Sequence, residues 1–135
     1  MSVTATFAQD EAGLAAAINA QRVTNGMAPL AVDPALTEVA RERSGDQVAR
    51  HYFSHTTPDG QTVFDLLNAD GVSWVYGGEN LAESRGMDAV QSAVSGFMHS
   101  AAHRDNVLSS HYGRIGVGAA QSADSTTVLT VVFTD

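Results

Sequence analysis

An α+β fold, a small sheet covered by helices, is what this sequence predicts. Apolar residues recur at helical spacing up to about residue 112, and period-two patterning takes over after it. The size agrees: 135 residues, 44% hydrophobic and 16% charged, suit one globular domain. No internal repeat and no Pro- or Ser-rich linker divides the chain, so residues 10–135 read as a single domain behind a short N-terminal extension, 1–9.

The first helix is expected from Asp10 to Thr24, with Leu14, Ala15 and Ile18 on one face and an exit at Asn25-Gly26. The second opens on Asp33 as cap and Pro34 in its first turn. It carries Leu36, Val39, Ala40 and Val48 to about Arg50. A polar stretch from His51 to Gly60 follows, then a short helix over Thr62–Ala69 that stops at Asp70-Gly71. Val72–Tyr76 reads as a strand and Gly77-Gly78-Glu79-Asn80 as a loop. Another helix is predicted from Asp88 to Ser100, with Val90, Val94, Phe97 and Met98 on one face. The β-branched and glycine-rich segments Arg114–Ala120 and Thr126–Thr134 flank a turn at 122–125 and predict an antiparallel hairpin.

Composition excludes several functions. Seven Lys and Arg stand against fifteen Asp and Glu, a net charge of −8, so no nucleic-acid partner is expected. Cysteine is absent, which removes disulfides, thiolate zinc sites and cysteine nucleophiles. No apolar run approaches the roughly 20 residues of a transmembrane segment. Met1–Asp10 lacks the basic start and apolar core of a signal peptide.

Five histidines are the first candidates for chemistry: His51, His55, His99, His103 and His111. His55 sits in the turn-bounded polar stretch, Glu79 beside two glycines, and His103 after a predicted helix, before Arg104-Asp105-Asn106. His99 and His103 are four apart, as in a zinc-protease helix, but Ser100 stands where the general base would be. Gly-x-Ser-x-Gly is absent. The run Gly113-x-x-Gly116-x-Gly118 fits close strand packing better than a dinucleotide loop.

Five stretches in order resemble one family. They are Asn19-Ala20-Gln21-Arg22 with Pro29-Leu30, Tyr52-Phe53-Ser54-His55 with Pro58-Asp59-Gly60, Gly78-Glu79-Asn80-Leu81-Ala82, the run Phe97 to Leu108, and Ile115-Gly116-Val117-Gly118. Together they resemble the CAP superfamily (cysteine-rich secretory, antigen 5 and pathogenesis-related proteins; the SCP domain) in its cysteine-free bacterial form. The resemblance implies a three-layer α-β-α sandwich with a small, mainly antiparallel sheet, secreted or held at the cell surface. It implies a cleft formed by His55, Glu79 and His103, with Ser100 at the position of a second glutamate common in eukaryotic members. Ser100, His99 and Tyr112 are the cleft-lining candidates, and Asn80, Arg104 and Asn106 belong to the structural motif. Phe97 stands where tryptophan is common, and Ala101-Ala102 replaces Pro-Gly.

Two imidazoles and a carboxylate make a plausible Zn²⁺ or other divalent-cation set, with no organic cofactor implied. The same side chains also read as a hydrogen-bonded cluster that pins three segments. The leading expectation is a binding module for a metal, and for a small ligand, lipid or peptide. A metal-dependent hydrolase and a structural domain with a vestigial cleft are the alternatives.

Overall fold

The structure is a computed structural model that describes residues 3–86 and 88–135. Its elements run α1 (Val3–Thr24), β1 (Ala31–Val32), α2 (Pro34–Ala49), α3 (Val63–Ala69), β2 (Gly77–Arg85), α4 (Ala89–Met98), α5 (Ala101–Leu108), β3 (Arg114–Gln121) and β4 (Thr126–Thr134). The sheet order is β1-β3-β4-β2. The β3–β4 hairpin and the β2–β4 pair are antiparallel, and the short β1 lies parallel to β3.

Period-two alternation sorts the sheet's side chains into two cores. Ile115, Val117, Leu129, Val131 and Phe133 face α1, α4 and α5, and pack on Leu14, Ile18, Val94, Phe97 and Val107. Val132 faces the other way, onto α2 and α3, with Leu36, Val39, Ala40, Val63 and Leu67. These are the three layers. Gly116 and Gly118 set the spacing of the second interface: a Cβ on either would lie 2.2 Å from the α2 backbone, at Leu36 and Ala40 respectively. Backbone therefore rests on backbone, and the expected close packing at these glycines is what the sheet shows.

Several elements differ from the sequence reading. The strand expected at Val72–Tyr76 begins instead at Gly77 and runs through the glutamate–asparagine pair expected in a loop. Val72 and Trp74 are drawn onto the α3 cluster, with Trp74 and Phe64 rings 5.1 Å apart. A Cβ at Gly77 would meet Phe64 at 2.9 Å, and one at Gly78 the Tyr112 hydroxyl at 2.4 Å, so these glycines mark close approach within a strand. The helix expected to end at Ser100 stops at Met98, and a separate helix, α5, starts at Ala101 with Ser100 as cap. Its polar run leaves Val107 as its one fully buried side chain, too little for a periodic signal. α1 begins at Val3, upstream of Asp10.

Candidate functional site

The site is built outward from a buried charge. Helical period carries the core stripe of α2 from Leu36 through Val39 and Ala40 to Arg43, Ser44 and Gln47, while Val48, expected there, is half-buried. The Arg43 side chain is fully buried, and an interior guanidinium requires a partner. β2 supplies it. Glu79, 3% exposed, accepts from Arg43 Nε at 2.8 Å and from Nη2 at 3.1 Å, a bidentate pair. Arg43 also donates to the Ser54 carbonyl at 2.9 Å and to the Tyr52 hydroxyl at 3.1 Å, which ties down the segment carrying His55. Burial presses the guanidinium toward neutrality, but the bonds and charge of Glu79 outweigh it and hold the Arg43 pKa above its ordinary value.

His55 uses what is left of the carboxylate: its Nδ1 lies 2.8 Å from Glu79 Oε1. An ionised carboxylate only accepts, so Nδ1 carries the proton and, in the neutral ring, Nε2 presents its lone pair. The ring is 59% exposed, so that nitrogen is open to solvent. His103, on α5, stacks on Phe97 with centroids 5.4 Å apart and has its Nδ1 2.9 Å from Ser100 Oγ. In the tautomer whose Nδ1–H donates to the serine hydroxyl, the Nε2 lone pair of His103 is free as well. Burial holds the His103 pKa below the ordinary histidine value, and the like charge of nearby His55 adds to the shift.

Behind the histidines a polar chain locks α5 to β2. Asn80, fully buried on the opposite face of the sheet from Glu79, donates to the His103 carbonyl at 3.0 Å. Asn106 Nδ2 donates to Asn80 Oδ1 at 2.9 Å, and Tyr112 donates to Asn106 Oδ1 at 3.3 Å.

The predicted residues thus separate into groups. His55 and Glu79 are in contact, His103 is close enough to feel the charge of His55, and Ser100 orients His103. Tyr112 stacks on Phe133 and braces the site from behind. His99 caps the C-terminus of α4 and is exposed, with Nδ1 bound to the Ser95 carbonyl. The helix break beside it ends any shared helix face with His103. Arg104 is exposed and, among the described residues, its side chain has no hydrogen-bond partner. Arg43 is the residue that sequence reasoning missed, although its place on the α2 stripe was a readable signal.

Among the described residues, no three His, Asp or Glu side chains form a set that could hold a metal ion. The donor chemistry explains why Glu79 does not complete one: both its oxygens are taken by Arg43, and one also by His55. The donor atoms left without a protein partner are the Nε2 atoms of His55 and His103, and Glu79 stands behind His55 as an orienting carboxylate.

The sequence profile of the cysteine-rich secretory protein family, CAP, matches residues 15–133. The uncharacterized protein YkwD of Bacillus subtilis is 36% identical over 104 residues, spanning 77% of this chain and 40% of its own length. An extracellular SCP-domain protein from Bacillus anthracis superposes with a TM-score of 0.79 at 26% identity, covering 93% of this chain and 41% of that one. An outer surface protein of Borrelia burgdorferi gives a TM-score of 0.82 at 20% identity, a likeness of fold, over 90% of this chain and 89% of that one. The chain spans less than half the length of the curated relatives it matches.

Proposed function

Because the chain belongs to the cysteine-rich secretory protein family, we propose that it is an extracellular binding module whose His55–His103 pair takes a divalent cation such as Zn²⁺. The observation that carries this reading is that each ring is anchored through Nδ1, by Glu79 and by Ser100, which leaves an Nε2 on each for a ligand. Glu79 positions His55 and does not ligate. The buried Arg43 guanidinium engages both oxygens of that carboxylate, which argues against its use as a proton shuttle. Bound zinc would supply a Lewis-acidic centre with open positions for an oxygen- or nitrogen-bearing ligand. Two imidazoles without thiolate make an exchangeable site, one that does not drive folding. Export is supported by the extracellular and outer-surface neighbours, and among the described residues no helix is long and apolar enough to cross a membrane.

Isothermal calorimetry with zinc at pH 7.5 tests the reading on the wild type, His55→Ala and His103→Ala. Binding should be measurable in the wild type and about tenfold or more weaker in each variant. No binding by the wild type at millimolar zinc, or unchanged affinity in both variants, contradicts it.

A further inference from the structure

We propose that the outer edge of β2, from Leu81 to Arg85, is a docking site for an extended peptide that joins the sheet as a fifth strand and sets a basic side chain beside Glu83. The proposal rests on the binding-module reading, but not on the metal.

β2 is the last strand in the order β1-β3-β4-β2, and it is nine residues long where the opposite edge, β1, has two. The direction of its backbone groups follows from the ladder. Ser122 N–H donates to the Thr126 carbonyl, so the even-numbered residues of β4 face β3 and the odd-numbered ones face β2. Those odd residues pair with Gly78, Asn80, Ala82 and Ser84, which leaves Glu79, Leu81, Glu83 and Arg85 turned outward. Two bonds agree: Asp135 N–H reaches the Tyr76 carbonyl on the inner side, and Asn106 reaches the Glu79 carbonyl on the outer side. Beyond Glu79 that cover ends. Among the described residues, nothing bonds to the outward N–H and C=O groups of Leu81 and Glu83. A row of free backbone groups of this kind is a template for strand addition.

A cavity lies on either side of the same edge. One, about 400 Å³, lies toward α4 and is lined by Ala93, Gly96 and Phe97. The other, about 470 Å³, lies toward α2 and is lined by Gln47, Tyr52 and Glu83. Phe53, 43% exposed, lines both. Alternate side chains of an added strand would enter opposite cavities.

The chemistry of each cavity selects the occupant. A residue opposite Glu83 shares its face, toward α2. There Glu83 has no ion-pair partner among the described residues, whereas neighbouring Asp124 is held by Arg85. Gln47 Oε1, in the same cavity, is buried with no hydrogen-bond partner. One unsatisfied acceptor beside an unpaired carboxylate calls for a lysine or arginine, and opposite charges across a strand pair attract. A residue opposite Ala82 instead meets Ala93, Gly96 and Phe97 on the α4 side, in a cavity also lined by Ser100 and His103. The favoured pattern is therefore apolar-basic-apolar, and the net charge of −8 assists its approach.

The test uses ¹⁵N-labelled protein and four probes: acetyl-Thr-Val-Lys-Val-Thr-amide, its glutamate counterpart, the lysine peptide with its valine nitrogens methylated, and the lysine peptide with its threonine and lysine nitrogens methylated. At about nine-tenths occupancy the lysine peptide should slow amide exchange of Leu81 and Glu83 about tenfold. One of the two methylation patterns should abolish binding, and Glu83→Lys should reverse the preference toward the glutamate peptide. Absence of binding at millimolar peptide, unprotected Leu81 and Glu83 amides, or binding indifferent to both methylation patterns overturns the proposal. His103 lines the α4-side cavity as well, so zinc is titrated into a separate, peptide-free sample, where His55 and His103 report on the cation reading alone and its failure is distinguishable from failure of the peptide.

Discussion

Replacing Glu79 with glutamine removes the carboxylate that neutralises Arg43, and the size of the effect follows from where that pair sits. The guanidinium is fully buried and the carboxylate 3% exposed, so solvent cannot take over the lost charge. Breaking a buried pair by neutralising one partner costs about 3–5 kcal/mol. The glutamine oxygen still accepts one bond, and Arg43 keeps its contacts to Ser54 and Tyr52, which favours the lower end. For a chain of this length that is a fall in Tm of roughly 10–15 °C. Thermal melts and urea titrations of Glu79→Gln measure it. A second variant, Arg43→Met with Glu79→Leu, removes both charges and should recover much of the loss, because apolar replacement of a buried pair is close to neutral. A Glu79→Gln protein within about 1 kcal/mol of wild type would refute the reasoning, as would a double variant no more stable than the single one.

Two further outcomes follow from the same geometry. Gly118→Ala places a methyl 2.2 Å from the Ala40 backbone, so α2 must lift from the sheet. Urea unfolding should show a loss of about 3 kcal/mol or more, and a loss under 1 kcal/mol would contradict the contact. Burial, aided by the charge of His55, lowers the folded-state pKa of His103, so the unfolded chain takes up that proton first as pH falls. The stability this ring contributes is complete above about pH 6.5 and is lost as pH drops through its lower folded pKa. Unfolding measured at pH 7.5 and pH 5 should therefore show a smaller acid loss in His103→Gln than in wild type.

The parts of the fold that were legible in the sequence are those where one local signal dominates. Asp33-Pro34 opened α2 as read, with the Asp33 side chain accepting from the Ala35 N–H, and the β-branched runs formed the terminal hairpin. The parts that were not legible depend on distant neighbours. Gly77 and Gly78 look like a loop until Phe64 and Tyr112 are seen pressing against them. α5 has no apolar stripe because its polar residues are spent on Asn80, Glu79 and Ser100. The candidate site divided in the same way. His55, Glu79 and His103 were readable from a family resemblance. The proposed reading gives Glu79 an orienting role because its partner, Arg43, lies 36 residues away in sequence, beyond any local signal. Arg43 was nevertheless visible as a charge at a core position of a helix, and such a residue implies a buried carboxylate elsewhere in the chain.

The central claim is that two imidazole Nε2 atoms form the binding centre and that Glu79 orients one of them from behind. It is tested most directly by ¹⁵N spectra of the histidine side chains during a zinc titration at pH 7.5. The account predicts that Nε2 of His55 and of His103 shift together while Nδ1 of His55 remains protonated against Glu79, with His51, His99 and His111 unmoved. Shifts confined to those other three rings, or an Nδ1 of His55 that loses its proton to the metal, would contradict it.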